Sequence, residues 1–104
     1  MNHLITIITP TYNCEKYIGE CLESVRSQNL EHIVKHIVID GVSQDMTCNI
    51  IESFDNVEFI SEPDQGQSDA FNKGIVRAES PWIMLLDGDD ILLPGSLLRY
   101  IKLI

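Results

Sequence analysis

The sequence predicts an α/β fold in which a mostly parallel sheet is flanked by helices. Three observations predict it. Short apolar runs alternate with segments of helical periodicity, four times in succession. Each apolar run empties into a loop rich in Asp, Asn, Gly or Pro. The composition is globular, 44% hydrophobic and 22% charged over 104 residues, enough for one domain with a modest core.

Leu4–Thr9 (LITIIT) is a β-branched run suited to a strand buried on both faces. Pro10 is expected to end its ladder, and Asn13 to cap the next segment. Glu15–Asn29 then places Ile18, Leu22 and Val25 at helical spacing. His36–Asp40 is a second strand ending on an acid. Asp45–Phe54 is a second helix with Met46, Ile50 and Phe54 four apart, and Val57–Ile60 is a short third strand. Ser68–Ala78 is a third helix carrying Phe71, Ile75 and Ala78. Gly74 interrupts it at a cost of ~1 kcal/mol relative to Ala, and close packing against a strand is the expected compensation. Pro81–Leu86 is a fourth strand. Pro94 sits where a last helix would begin, with Leu97, Leu98 and Ile101 as its apolar stripe. Right-handed crossovers place helices on both faces of such a sheet. No repeat or linker divides residues 1–104, and the pattern stops inside the last helix, as expected of a fragment.

Sixteen acids against seven bases give a formal charge of -9. That argues against a nucleic-acid groove or a polybasic membrane surface. An acidic protein that holds phosphate needs a cation between the two. Cys14, Cys21 and Cys48 form no C-x-x-C pair and read as reduced, small buried hydrophobes. His3, His32 and His36 lack metal-ligand spacing and read as surface or strand-end residues. The stretch His3–Pro10 is too short for a signal peptide. No apolar run approaches the ~20 residues of a membrane span. A cytoplasmic location is expected, the inner face of the cell membrane included.

Ligands of open α/β sheets bind beyond the carboxyl ends of the strands, so the loops there carry the functional reading. After the fourth strand comes Asp87-Gly88-Asp89-Asp90. Three carboxylates in four positions repel one another unless paired. A hard cation, Mg²⁺ or Mn²⁺, relieves that repulsion and completes its shell with water and substrate phosphate. The other reading is a solvated acidic turn. Gly88 removes a side chain where a diphosphate would approach. Asp40 can accept hydrogen bonds from a base or ribose, or cap its own loop. Ser43 and Asp45 read as caps. Thr11 and Tyr12 can line a flat pocket, Tyr12 stacking and Thr11 bonding; alternatively Tyr12 is a core aromatic. Asp64, Gln65 and Gly66 precede the third helix, whose free N–H groups can meet a phosphate or sugar. Other motifs fail on specifics. An EF-hand loop needs Glu where Leu98 stands. G-x-G-x-x-G, the P-loop and G-x-S-x-G are absent.

Taken together, these segments resemble glycosyltransferase family 2, with its Rossmann-like GT-A fold. Ile5 through Asn13 looks like that family's first strand and P-T-Y-N turn. Asp40 through Thr47 is similar to its D-D-G-S-x-D-x-T stretch. Glu62-Pro63-Asp64-Gln65-Gly66 with Ala70, Asn72 and Gly74 resembles its E-x-D-x-G…A-x-N-x-G segment. Asp87-Gly88-Asp89-Asp90 with Pro94 resembles D-x-D-D-x-x-x-P. The resemblance implies the N-terminal nucleotide-sugar-binding part of a GT-A domain, truncated, without its acceptor-binding part. Pro10, Thr11, Tyr12 and Asp40 would border the base, commonly uracil. Asp87 would lie near ribose and diphosphate, and Asp89 would hold the metal. Gly41 and Val42 depart from the usual second Asp and Gly, and Phe71 stands where many members carry Arg.

The chemistry implied is a single, inverting displacement that moves a sugar from a nucleotide diphosphate donor to a hydroxyl acceptor. A UDP-sugar donor and a glycan or lipid-linked acceptor in polysaccharide synthesis are expected. The resemblance implies no catalytic residue within the chain, because the family's base is expected beyond Ile104. This chain is therefore expected to bind donor with little or no transfer. Two other classes compete. One is a non-catalytic nucleotide-sugar-binding or assembly module. The other, a phospho-accepting signalling domain, wants a Lys at the end of a late strand, whereas Lys73 falls in a helix.

Overall fold

The computed structural model describes residues 2–104. Four strands, β1 (Ile5–Thr11), β2 (Val34–Asp40), β3 (Val57–Ser61) and β4 (Trp82–Leu85), alternate with four helices. These are α1 (Ile18–Arg26), α2 (Thr47–Glu52), α3 (Gln67–Arg77) and α4 (Ser96–Leu103). Every strand pairing is parallel, in the order β3-β2-β1-β4. The chain winds outward from β1 to β3, then crosses back to the far side of β1 for β4. The winding therefore reverses between β1 and β4, and the loops leaving those two tips diverge into a crevice.

β1 lies in the middle, and all seven of its residues are buried. On one face, Ile5, Ile7, Val34 and Val38 pack with Ile18, Cys21, Leu22 and Val25 of α1, Ile51 of α2 and Leu97 of α4. Each fully buried aliphatic side chain there stabilises the fold by about 1.5–3 kcal/mol. On the other face, Ile37 and Ile39 meet Ala70 of α3. Gly74 brings α3 down onto β1: a Cβ there would lie 2.4 Å from Ile8 Cγ2. The packing expected to offset the helix-breaking cost of Gly74 is thus present. No described helix is long and apolar enough to cross a membrane.

Several local expectations are corrected. Pro10 does not end β1, which runs on to Thr11 with Pro10 opposite Ile39. Ile8 and Thr11 explain why. The Ile8 carbonyl accepts from Leu86 beside β4, while the Thr11 carbonyl accepts from Gly41 beside β2. Pro10 shares the parity of Ile8, so its missing N–H faces the β4 side beyond Leu85, where no ladder bond is needed. Asn13 does not cap α1. That helix begins at Ile18, after a turn closed by bonds from Tyr17 and Ile18 to the Cys14 carbonyl. Pro94 precedes the α4 cap, Gly95, rather than standing in the first turn.

His36 is neither a surface nor a strand-end residue. It is buried inside β2, with Nε2 2.7 Å from Thr9 Oγ1 and Nδ1 without a partner. Burial disfavours the charged ring and pushes its pKa down to about 4 from 6.5. Between those values the unfolded chain binds a proton that the folded chain refuses. Stability is therefore expected to fall as pH drops from about 6.5 to about 4, by about 3 kcal/mol in all. Urea unfolding at stepped pH should show this decline, flattened in His36→Gln; equal slopes in both proteins would acquit His36. Gly74→Ala is expected to lose about 1–3 kcal/mol through overpacking on Ile8, despite a helix-propensity gain of ~1 kcal/mol. A raised Tm in that variant would mean the helix–strand contact is looser than described.

Candidate functional site

A cleft of about 920 Å³ opens at the carboxyl ends of the strands, within the range of small-molecule sites. The β1 tip contributes Pro10, Thr11, Tyr12, Asn13, Cys14 and Tyr17; the β2 tip contributes Gly41 and Val42. Pro63, Asp64, Gly66 and Gln67 come from the loop into α3, and Asp87, Gly88 and Asp89 from the β4 tip. The strand-end loops picked out in the sequence do converge. Ile104, beyond which the acceptor base is expected, closes α4 at 48% exposure and does not line this cleft.

Asp40 is the exception among the residues expected to line the base. It is 0% exposed and lies beneath the cleft rather than on its wall. Its Oδ1 accepts from Thr11 Oγ1 (2.7 Å) and Ser43 Oγ (2.6 Å). Its Oδ2 accepts from Ser43 N (2.8 Å), Ser61 Oγ (2.9 Å) and Cys48 Sγ (3.2 Å). Burial acts to raise the pKa of this carboxyl, but the bonds from Ser43, Thr11 and Cys48 outweigh it and hold it below the usual range. A ligand would have to displace one of these donors to reach Asp40, so its geometry fits the loop-organising reading. Ser43 is not a helix cap but a relay: its hydroxyl donates to Asp40 and accepts from Asn13 N at 2.8 Å. Asp45 lies one residue before the α2 N-cap, Met46, and holds the turn there, accepting from Thr47 N at 2.9 Å and from Glu15 N at 3.2 Å.

Tyr12 is 64% exposed, which removes the core-aromatic reading and leaves its ring on the cleft wall. Thr11 is buried, with its hydroxyl proton committed to Asp40. Val42 holds a left-handed backbone (φ 63). That conformation is strained for a β-branched residue, and the bonds of Ser43 to Asp40 hold it in place.

At the opposite end, Asp87, Asp89 and Asp90 can bring one carboxylate oxygen each within 4.8 Å of one another. Asp87 is half-buried; the other two are exposed. Desolvation, then the Asp90 and Asp89 charges, hold the Asp87 carboxyl above its usual range, against a lowering hydrogen bond from the Gln67 amide. An all-oxygen, mutually repelling donor set of this kind suits a hard divalent cation. At Gly88 a Cβ would press on Cys14 Sγ (3.0 Å), Thr11 Cγ2 (3.2 Å) and the Pro10 carbonyl (3.3 Å). Its missing side chain makes room for the β1 tip, and its backbone lines the cleft.

Gln67, Tyr17 and Cys14 line the cleft without a sequence signal, while Cys48 reaches only Asp40 beneath it. Of the cysteines, only Cys21 is the buried hydrophobe expected of all three. Burial is also the first cause that raises each of the three thiol pKa values, that of Cys21 to about 12. Lys73 stays on α3, donating to the Pro63 carbonyl and pairing with Glu62 and Asp69. Its ammonium is committed to the loop after β3 and to Asp69, with no pairing to the acidic turn after β4 among the described residues.

A parallel sheet that reverses its winding beside β1, with an acidic turn after β4, is the architecture of the GT-A glycosyltransferases. The family model "Glycosyl transferase family 2" matches residues 6–104, and the chain belongs to that family. It is 36% identical over 107 residues to the teichoic acid poly(glycerol phosphate) polymerase of Staphylococcus epidermidis, covering 98% of this chain and 15% of that protein. It superposes on S. aureus TarS 1-349 in complex with UDP-GlcNAc with a TM-score of 0.85 at 27% identity, over 98% of this chain and 30% of that one. The mannosyltransferase PcManGT from Pyrobaculum calidifontis, in complex with GDP-Man and Mn²⁺, shares the fold at a TM-score of 0.85 and 22% identity, over 98% of this chain and 32% of that one. The chain thus spans less than a third of the length of each.

Asp40→Asn leaves two or three donors facing an amide that cannot accept them all. A loss of about 2–4 kcal/mol is expected, read as a lower denaturant midpoint at pH 7. The Asp40 contribution is present above the ordinary carboxylate range and lost as pH falls through its depressed pKa, so the two proteins should converge in acid. Equal midpoints at pH 7 would show that the carboxylate is not the hub described.

Proposed function

We propose that this chain is the donor-binding part of an inverting glycosyltransferase that moves a sugar from a nucleoside diphosphate, UDP favoured, to a hydroxyl of a glycan or lipid-linked acceptor. The observation that supports this most strongly is one cleft walled by Tyr12 and the β2–β3 loops at one end and by the Asp87–Asp89 pair at the other. The donor lies with its base between Tyr12 and the β2 tip. Tyr12 offers its face for stacking, and Pro10 and Thr11 form the floor. The diphosphate lies toward β4.

Asp89, with Asp87, would hold Mg²⁺ or Mn²⁺. When bound, the ion supplies electrostatic stabilisation to the departing diphosphate. Asp89 is exposed to the cleft and free to ligate; Asp87 is oriented from behind by Gln67. Asp90 turns back beside this pair through its N–H bond to the Asp87 carbonyl, so it is not placed as the acceptor base. The base is assigned beyond Ile104, outside these 104 residues, and the chain alone binds donor with little or no transfer. Teichoic acid and related surface polysaccharides are the acceptor class to try first, on the likeness to the polymerase named above.

Calorimetric titration of the chain with UDP is expected to show binding with Mn²⁺ and at least tenfold weaker binding in EDTA. Asp89→Asn should lose at least tenfold, about 1.4 kcal/mol, in the presence of metal. Metal-independent binding of equal strength would sink the reading. Sugar transfer by the full-length protein separates an enzyme from a binding module.

A further inference from the structure

We propose that Asp64 reads the donor's base, by accepting a hydrogen bond from a ring N–H, and that Gly41 is the residue that admits it to the cleft. This rests on the donor-binding reading above and names the recognition group within it.

The sheet order fixes which end of the cleft is which. The acidic turn sits on the β4 tip, at one edge of the sheet. Asp64 follows β3, at the other edge, with the tips of β1 and β2 between them. A donor whose diphosphate lies at the β4 end must direct its nucleoside toward β2 and β3. The base, the terminal group, reaches farthest.

Of the carboxylates at that end, Glu62 pairs with Lys73 and Asp45 is bonded to Thr47 N and Glu15 N, which leaves Asp40 and Asp64 to compare. Asp40 is fully buried and saturated by five internal donors. Asp64 is half-buried and lines the cleft. Its Oδ1 accepts from Gly66 N at 3.0 Å, which fixes the carboxylate plane. Its Oδ2 has no protein donor among the described residues. That oxygen rests over Gly41: a Cβ at position 41 would lie 2.7 Å from Oδ2 and 3.1 Å from Cγ. A side chain at 41 requires the Asp64 carboxylate to shift from this position. The two positions therefore compete for one volume, and in this chain Asp64 fills it.

A carboxylate oxygen only accepts. It bonds to uracil, whose N3 carries a hydrogen, and repels the N3 lone pair of cytosine. A ring nitrogen without a hydrogen leaves this charged acceptor unpaired at N3, which weakens binding further; cytosine can compensate only by moving its N4 amino group to the carboxylate.

The test titrates UDP, CDP and N3-methyl-UDP, each with Mn²⁺, into the full chain and its variants. Folding of each variant is checked by thermal melting. The wild type is expected to bind UDP about tenfold or more tighter than CDP or N3-methyl-UDP. Asp64→Asn should weaken UDP about tenfold and erase the UDP/CDP preference. Gly41→Asp alone should weaken UDP by dislodging Asp64. The exchange Gly41→Asp with Asp64→Gly should restore part of the preference, by returning one carboxylate to the shared volume. If the wild type binds UDP but binds N3-methyl-UDP equally well, the proposal is wrong and the donor-binding reading stands. This ligand arm needs no variant to fold. Unchanged UDP affinity and UDP/CDP ratio in folded Asp64→Asn also overturn it. If no nucleotide binds the wild type with Mn²⁺, the broader reading has failed first.

Discussion

The buried carboxylate of Asp40 is the constraint on which the rest of the cleft depends. A parallel sheet ends with all its strand tips on one side, and nothing in the ladder joins those tips beyond the last bonded pair. Asp40 joins them here. It collects Thr11 from β1, Ser43 from its own loop, Ser61 from β3 and Cys48 from α2. From Ser43 the network passes outward. Asn13 N donates to the Ser43 hydroxyl, Asn13 Oδ1 accepts from Gln44 N, and Cys14 N donates to Thr47 Oγ1. The loop that carries Tyr12 is thereby sewn to the loop that carries Val42. An ionised group in such a place costs several kcal/mol to desolvate, and is tolerated only when its lone pairs are filled. Five donors fill them.

The cleft owes its shape to missing side chains as much as to those present. Gly74 lets α3 settle onto Ile8, which sets the height of the helix N-terminus above the sheet. Gly88 lets the β4 tip close on Thr11 and Cys14. Gly41 leaves a hollow that the Asp64 carboxylate enters. In each case the space goes to a neighbouring residue. The α3 terminus, so lowered, brings Gln67 across to Asp87, linking one wall of the cleft to the other.

The alternation of apolar runs and helical periods is enough to read the sheet, its parallel sense and its two covered faces, because those follow from local pattern. The convergence of strand-end loops is legible for the same reason: parallel strands have only one carboxyl edge. What escapes is the set of interactions between residues far apart in the chain. Asp40 looks like a ligand because its partners, Thr11 and Ser61, lie 29 and 21 residues away. Pro10 looks like a strand stop because the side of β1 that needs no donor depends on where β4 ends. His36 looks peripheral because its burial depends on packing that no local pattern encodes. The packing of the β1 tip on Gly88 is hidden for a related reason: a glycine's absent side chain says nothing about which neighbour takes the space.

Charge completes the physical picture. The chain carries nine more acids than bases, and its described ion pairs lie away from the β4 tip. Arg26 pairs with Glu23 and covers the Phe54 ring at 4.5 Å. Lys35 pairs with Glu58, and Lys73 with Glu62 and Asp69. Among the described residues, none of these cations pairs with Asp87, Asp89 or Asp90. The two acidic features of the cleft are therefore treated in opposite ways. Asp40 keeps its charge, solvated by hydrogen bonds from within the protein, and is closed off. The acidic turn is left open, and desolvation together with the charges of Asp90 and Asp89 raises the Asp87 pKa. A site in that condition draws its compensation from solution. In the proposed reading Asp89 and Asp87 would hold a divalent ion, which would offset the cluster's charge and attract a diphosphate that the bare protein would repel. On this electrostatic account, an acidic domain would hold the proposed anionic donor through the same carboxylates that would otherwise exclude it.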